Sequence, residues 1–165
     1  MISVDYAIHL TSKSNGSHGH WTAAARVAKR ERTKILDLVD AAMVRLSCPT
    51  GRHDLPYQLR KVAYTGRFRG IKVQKTKMVR VLSQEWAERL ATGLTVTLTR
   101  YAEKLLDDDG LRRGFKHIRD GVADAFGIAD NDPRLTFEYH QVAQPPSRVN
   151  VRIRWDLPTP ELPAP

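Results

Sequence analysis

The stretch LTVTLTRYAEKLLDDDGLRRGFKHIRDGVADAFGIADND, residues 94–132, decides the fold. Its first nine residues alternate between apolar and polar side chains and are rich in β-branched types, which predicts a strand over 94–102. Apolar residues then recur at helical spacing, which predicts an amphipathic helix over 111–127. Acidic residues stand at both ends of that helix, so the segment carries a candidate site as well as a fold signal.

The acidic residues of this otherwise basic chain concentrate around the helix. Nine of the 18 Asp and Glu residues lie within 103–138, whereas the whole chain has a formal net charge of +9. The aspartates form two groups, one before the helix and one after it: Asp107, Asp108 and Asp109, then Asp130 and Asp132. Like charges packed together cost free energy unless a cation or an arginine offsets them, and carboxylate oxygens are ligands that hard divalent cations prefer. The pattern therefore favours a divalent metal site.

Each acidic group taken alone also has a structural interpretation. Asp109 before a helix is typical of an N-cap residue, and the segment 129–133 is typical of an Asx-rich turn. A helix over 111–127 rises about 1.5 Å per residue, so its ends stand roughly 25 Å apart. Asp109 and Asp132 can then meet in only two ways: the loop after the helix folds back along it, or a two-fold partner completes the site.

A basic segment is the second charged feature. Residues 56–83 contain eight Lys and Arg residues and no acidic one, interleaved with Tyr57, Tyr64 and Phe68. Arginine and lysine with aromatic side chains suit phosphate neutralisation and base stacking, and the alternative is a solvated face without a ligand. Glycines at 66 and 70 allow either a hairpin arm or a mobile loop.

The rest of the chain predicts an α+β fold. Alternation at 2–8 indicates a strand, 21–46 a long amphipathic helix, and 134–142 and 149–155 two further strands, expected as an antiparallel pair. The expected architecture is a single domain with a mixed β-sheet packed against two main helices, in β-α-β-α-β-β order.

The domain boundaries and the compartment follow from composition. Residues 1–155 form the expected domain, with 50–90 as a basic insertion or arm, and the four prolines of 156–165 indicate a tail that cannot join a sheet. Cys48 is the only cysteine, which excludes an intrachain disulfide and four-cysteine zinc sites. No basic leader and no run of ~18 apolar residues is seen, so we expect a cytoplasmic protein without a membrane partner.

The order of these elements resembles the RusA-type Holliday-junction resolvase family. The resemblance is carried by the strand 94–102, by Asp107 and Asp109 in LLDDDGL, by the helix that follows, and by Asn131-Asp132 after it. Ser14-Asn15 after the first strand is similar to the Ser-Asn loop of that family, whereas residues 50–90 match nothing in it.

The resemblance implies a homodimeric endonuclease that uses Mg²⁺, or Mn²⁺, to hydrolyse phosphodiesters in branched DNA such as Holliday junctions, in recombination or repair. It implies Asp107, Asp109 and Asp132 as the metal ligands and a metal-bound water as the nucleophile. The catalytic lysine of the family is replaced by Arg113 or Lys116, and either keeps the positive charge. Gly110 stands where the family usually has asparagine, which leaves a catalytically inactive junction-binding module as the alternative.

The basic segment and the first loop supply the expected DNA contacts. These are Asn15, Arg60, Lys61, Arg67, Arg69, Lys72, Lys75 and Lys77. A third class of function, a basic protein that coats nucleic acid of any shape, explains the net charge but gives the aspartates no purpose.

Overall fold

The computed structural model describes residues 1–6, 21–47, 56–68 and 71–155. The elements in these ranges are β1 Ile2–Tyr6, α1 Trp21–Ser47, β2 Tyr57–Phe68, β3 Ile71–Leu82, α2 Gln84–Ala91, β4 Leu94–Ala102, α3 Asp108–Gly114, α4 Lys116–Ala125, β5 Leu135–Ala143 and β6 Arg148–Trp155. The α+β class is confirmed. The predictions for Asn15, Cys48, Arg69 and the tail 156–165 fall outside the described residues.

A mixed sheet of four strands, in the order β1-β6-β4-β5, forms the centre of the fold. β4 runs parallel to β5 and antiparallel to β6. The expected pairing of β5 with β6 is therefore wrong, because β4 lies between them. Every second residue of β4 is buried. Because β4 lies inside the sheet, this apolar strand is covered and its backbone groups find hydrogen-bond partners on both edges.

Helices α1 and α4 pack on the buried face of the sheet. Ile35, Val39 and Met43 of α1 are at most 1% exposed, as are Ile118 and Val122 of α4. They join the buried residues of the central strands in one apolar core. Every other residue of β4 points to the opposite face and is only partly buried, so one face of the sheet is core and the other carries polar side chains.

The predicted helix over 111–127 is two helices. Helix α3 begins at Asp108, and Phe115 separates it from α4, which ends at Ala125. Gly114, a poor helix former, precedes the break. Phe115 is fully buried, with its ring centroid 6.0 Å from that of Tyr139. The break therefore combines a weak helical position with the burial of an aromatic side chain in the core.

Gly121 lies where α4 crosses α1. A Cβ at this position would stand 2.7 Å from the carbonyl oxygen of Arg32 and 3.1 Å from Cβ of Ile35. We expect Gly121→Ala to lower the free energy of unfolding by about 1–3 kcal/mol, because the two helices must separate to admit the methyl group. Urea denaturation measures this change.

Gly66→Ala is the matched control for that substitution. Its added Cβ would approach only side-chain atoms, at 3.0 Å from Cδ of Lys75 and 3.4 Å from the ring of Tyr64. A flexible lysine can move aside, so this variant should stay close to the wild type. Equal stabilities for Gly121→Ala and the wild type would contradict the close helix crossing.

Candidate functional site

The first aspartate group forms the start of α3. Asp107 is the N-cap, and its Oδ1 accepts a hydrogen bond from the backbone N–H of Gly110 at 2.9 Å. The prediction that Asp109 is the N-cap is therefore wrong, since Asp109 lies inside the first turn. The Asp109 side chain is 79% exposed. Asp107 thus has one oxygen engaged in capping, while Asp109 is open to a ligand.

Gly110 is matched to this cap. A Cβ at position 110 would overlap Oδ1 of Asp107. The Asp107 side chain would have to leave its capping rotamer to admit any other residue. The glycine in this chain therefore belongs to the capped conformation of the first acidic group, which gives Gly110 a local structural reason.

The two cations expected near the metal differ in position. Nη2 of Arg113 lies 3.5 Å from Oδ2 of Asp109, and both side chains are largely exposed. Lys116 instead stands on α4, with Nζ 3.4 Å from Oδ1 of Asp120. Asp120 also approaches Nη1 of Arg32 at 3.7 Å. Arg113 is therefore the cation beside the first acidic group, whereas Lys116 pairs within α4 with an aspartate that also approaches α1.

Two residues at the ends of β4 and β5 hold the loop that leads to Asp107. The Gln141 side chain accepts from the backbone N–H of Leu106 at 2.9 Å and donates to the carbonyl of Leu106 at 2.7 Å. Its register partner Arg100 donates from Nη1 to the carbonyl of Lys104 at 2.6 Å. Burial lowers the pKa of Arg100, and no carboxylate of the described residues forms an ion pair with it.

Sequence reasoning did not single out this pair, although a signal was present. Arg100 stands in phase with Leu94, Val96 and Leu98, the buried positions of an alternating strand. A charged residue at a buried position of a strand is unusual and marks a place to examine for function. The partnership with Gln141, 41 residues later, depends on the pairing of the two strands and has no local signal.

The second aspartate group follows α4 and is held by arginines. Gly127, with φ of 67°, reverses the chain, and the N–H of Ile128 bonds the carbonyl of Ala123 at 3.1 Å. The loop runs back far enough for Asp130 to accept from Nη2 of Arg119 at 2.9 Å. The local geometry is therefore a closed turn, as its Asx-rich sequence predicted.

Asp132 is paired with a single arginine through both carboxylate oxygens. Oδ1 accepts from Nε of Arg134 at 2.8 Å and from its backbone N–H at 3.0 Å, and Oδ2 accepts from Nη2 at 2.7 Å. Side-chain hydrogen bonds from Arg134, followed by the backbone bond, lower the pKa of Asp132 to about 2. A cation at Asp132 would have to compete with this arginine.

A pH dependence of stability follows from the Asp132 pair. Because the pKa of Asp132 is lowered in the folded chain, its contribution to stability is complete above about pH 4 and is lost as the pH falls through about 2. Arg134→Gln should therefore lower the urea midpoint at pH 5 to 7, and the deficit should disappear near pH 2. Arg152→Gln, at an exposed arginine of β6, is the control. A deficit that does not change with pH would show that the ion pair contributes nothing.

The two aspartate groups lie toward opposite ends of the sheet. Leu106, just before the first group, is bonded to Gln141, the register partner of Arg100. The carbonyl of Arg134, just after the second group, accepts a hydrogen bond from the N–H of Leu94 at 2.8 Å. These anchors are six strand positions apart (100 − 94), which is roughly 20 Å at ~3.3 Å per residue. Within the described ranges no three His, Cys, Asp or Glu side chains form a group that could hold a metal. One chain thus presents Asp107 and Asp109 apart from Asp132.

The basic segment forms a hairpin of β2 and β3, so of the two structures considered the hairpin is confirmed. We call residues 57–82 the basic ribbon. Twelve residues per strand make it roughly 40 Å long. Of the residues predicted to contact DNA, those that lie in the described part of the ribbon are Arg60, Lys61, Arg67, Lys72, Lys75 and Lys77. The register places Arg67 opposite Lys72 and places Tyr64 opposite Lys75 on the other face, so positive charge is present on both faces.

Apolar side chains are also exposed along the basic ribbon. Leu59 and Met78 are each 57% exposed and Tyr64 is 41% exposed. Nζ of Lys77 lies 5.8 Å from the centroid of the Tyr64 ring. An isolated two-stranded hairpin is marginally stable in water. Cations next to exposed aromatic and apolar groups fit a polyanion that also offers apolar surface, as nucleic acid does.

The base of the basic ribbon is fixed to the helices. Arg80 forms an ion pair with Asp40 of α1, and Tyr57 donates to the same carboxylate at 3.2 Å. The Arg80 guanidinium stands 4.2 Å from the centroid of the Tyr57 ring. Gly127 approaches the Arg80 carbonyl so closely that an added Cβ would be 2.8 Å from it. The ribbon base therefore contacts both α1 and the turn that begins the second acidic loop.

Comparisons with known proteins give no relative for this chain: no family model, no curated protein and no solved structure matches it. In the part of the chain that the structure describes, no helix is long and apolar enough to cross a membrane.

Proposed function

We propose that this protein is a cytoplasmic, Mg²⁺-dependent endonuclease of the RusA type that cleaves branched DNA such as Holliday junctions, in recombination or repair. The observation that carries the proposal is the exposed pair Asp107 and Asp109 at the start of α3, with Arg113 next to Asp109 and the basic ribbon in the same chain. Carboxylates that accept a hard cation and a cationic surface that accepts phosphates are the two requirements of metal-assisted phosphodiester hydrolysis.

The roles of the residues follow from their positions. Asp107, Asp109 and Asp132 would hold Mg²⁺, which supplies a water of lowered pKa and neutralises charge on the phosphate when bound. Arg113, on the same helix face as Asp109, would bind a phosphate oxygen through its planar guanidinium. Arg134 holds Asp132, so a cation bound at Asp132 would have to displace this arginine. The basic ribbon would bind the DNA backbone beside the site.

The separation of the two aspartate groups favours a site shared by two protomers. Roughly 20 Å along the strands separates the anchors of the two loops in one chain, so Asp132 of one protomer would complete the pair Asp107 and Asp109 of its partner. A two-fold axis then makes two equivalent sites. Paired nicks in a four-way junction require two such sites, so the proposed homodimer and the proposed substrate support each other.

The basic ribbon should determine the salt dependence of DNA binding. A variant in which Arg67, Arg69 and Lys72 are all replaced by glutamine should release fewer counterions when it binds DNA. The slope of the logarithm of the binding constant against the logarithm of the salt concentration should therefore fall by roughly 1 for each DNA phosphate that the protein no longer neutralises. Fluorescence anisotropy with a labelled junction at several salt concentrations measures the slope.

An α1 variant with the same change in charge is the control. Arg26, Lys29 and Arg30 are exposed on that helix, and their joint substitution with glutamine should leave the slope nearly unchanged. An equal decrease in both variants would mean that net charge and not the ribbon governs binding.

The test of the proposed function is cleavage of a labelled synthetic four-way junction and a linear duplex, each with Mg²⁺ and with EDTA. Symmetric nicks confined to the junction and dependent on Mg²⁺ are expected. Equal treatment of both DNAs, without nicks, would overturn the proposal and leave a basic protein that coats nucleic acid.

A second function, an inactive junction-binding module, is favoured by one observation. Asp107 already accepts from Gly110, and Asp132 is bonded through both oxygens to Arg134. Carboxylates satisfied by the protein's own donors hold a fold together without a metal. Tight junction binding without nicks, at any Mg²⁺ concentration, would select this function.

A further inference from the structure

The loop 103–106 carries the chain from β4 to the first aspartate group, and its backbone is held by side chains of two adjacent strands. Gln141 of β5 makes a two-point contact with Leu106, one residue before Asp107. Only one orientation of the amide satisfies both bonds, since the oxygen must face the N–H and the nitrogen must face the carbonyl. The contact therefore fixes the position and orientation of the Leu106 backbone, because its N–H and its C=O belong to two successive peptide units.

Arg100 supplies a second anchor two residues earlier. Its Nη1 bonds the carbonyl of Lys104 at 2.6 Å, and the side chain belongs to the buried face of β4. A buried guanidinium without a carboxylate partner is costly to keep. Here its N–H group donates to the loop backbone. Arg100 and Gln141, which are register partners on adjacent strands, therefore both hold the same short segment.

Apolar packing holds the loop 103–106 only at Leu106, which is partly buried against the core. Leu105 is 56% exposed, and Asp107, Asp108 and Asp109 are exposed. Without its side-chain anchors the backbone of the segment should open more easily, because exposed loops with few buried contacts open at little cost in free energy. The position of Asp107 thus depends on the bonds to Gln141 and Arg100 together with the packing of Leu106 and Leu111 in the core.

We propose that Gln141 is a positioning residue that sets the geometry of the Asp107 and Asp109 carboxylates for the metal through its two bonds to Leu106. The inference rests on the proposed function and deepens it, since Gln141 touches neither metal nor DNA in this role. Residues that orient metal ligands without binding the metal change its affinity by about ten- to a hundred-fold when they are replaced.

The test uses the full chain and two readouts. In Gln141→Ala, backbone amides of 104–107 should exchange hydrogen faster without metal, and the Mg²⁺ concentration for half-maximal junction nicking should rise about tenfold or more. The rate at saturating Mg²⁺ should return to within a few-fold of the wild type, because the ligands themselves remain. Gln141→Glu keeps the acceptor but loses the donor to Leu106, and should give a change in the same direction.

His140→Ala is the matched control, since His140 is the neighbouring residue on β5 and is exposed on the opposite face of the sheet. It should alter neither readout.

The positioning role is overturned if Gln141→Ala nicks with the Mg²⁺ dependence of the wild type, or if its rate falls equally at every Mg²⁺ concentration together with its melting temperature. A wild type that shows no metal-dependent nicking would overturn the proposed function and this role with it, whereas the exchange readout would still report whether Gln141 holds the loop.

Discussion

Asp109→Asn is expected to reduce Mg²⁺-dependent nicking of a four-way junction by about a thousand-fold, while junction binding stays intact or becomes tighter. The side chain of Asp109 is 79% exposed, so the substitution should change its charge without disturbing the fold. Loss of a metal ligand removes several kcal/mol of transition-state stabilisation, and about 4 kcal/mol corresponds to a thousand-fold change in rate. Binding benefits because one negative charge near the DNA phosphates is removed. Single-turnover nicking and anisotropy measure the two effects separately.

Asp108→Asn is a close control, because it makes the same change of charge in the adjacent residue. Asp108 is also exposed and lies in the first turn of α3, yet it is outside the proposed ligand set. Its nicking rate should stay within a few-fold of the wild type. Equal losses in both variants would point to a general effect of acidic charge, and full activity of Asp109→Asn would remove Asp109 from the metal site.

The parts of the fold that sequence predicted are those that local pattern controls. The alternation of Leu94, Val96 and Leu98 with threonines predicted the strand, and the structure buries those positions while it leaves the threonines partly exposed. The pairing of strands is different, because it depends on packing between distant segments. β4 therefore separates β5 from β6, against the expectation that strands joined by a short connection pair with each other.

The aspartates of the candidate site were visible in the sequence, but their supports were not. Charge clustering identified the two aspartate groups, and the resemblance to the RusA-type family implied Asp107, Asp109 and Asp132 within them. The bonds from Gln141 and Arg134 to the two loops depend on tertiary structure. The single helix expected between the aspartate groups is wrong, because Phe115 divides it into α3 and α4. Parallel pairing of β4 with β5 separates the groups instead, because the loop after β4 and the loop before β5 lie toward opposite ends of the sheet.

That separation leads to the second large effect, recovery of activity in a mixed dimer. Asp109→Asn and Asp132→Asn homodimers should each be inactive, by about a thousand-fold. A heterodimer of the two, purified through different tags after co-expression, should regain about half of the wild-type nicking. In the proposed dimer, one of the two shared sites would combine Asp107 and Asp109 of one protomer with Asp132 of its partner, all unsubstituted, and the other site would carry both substitutions.

The products of the mixed dimer distinguish a shared site from one built within a single chain. With one intact site, the heterodimer should nick one strand of each junction and leave the paired second nick unmade. A site built within one chain would leave every site in the heterodimer with one substituted ligand, and no activity would return. A heterodimer of Asp109→Asn with Asp107→Asn is the control, because both substitutions then fall in the same half of the site and both sites stay broken. Recovery in that control would contradict the shared site, whereas recovery confined to the Asp132→Asn combination would require Asp132 to act across the dimer axis.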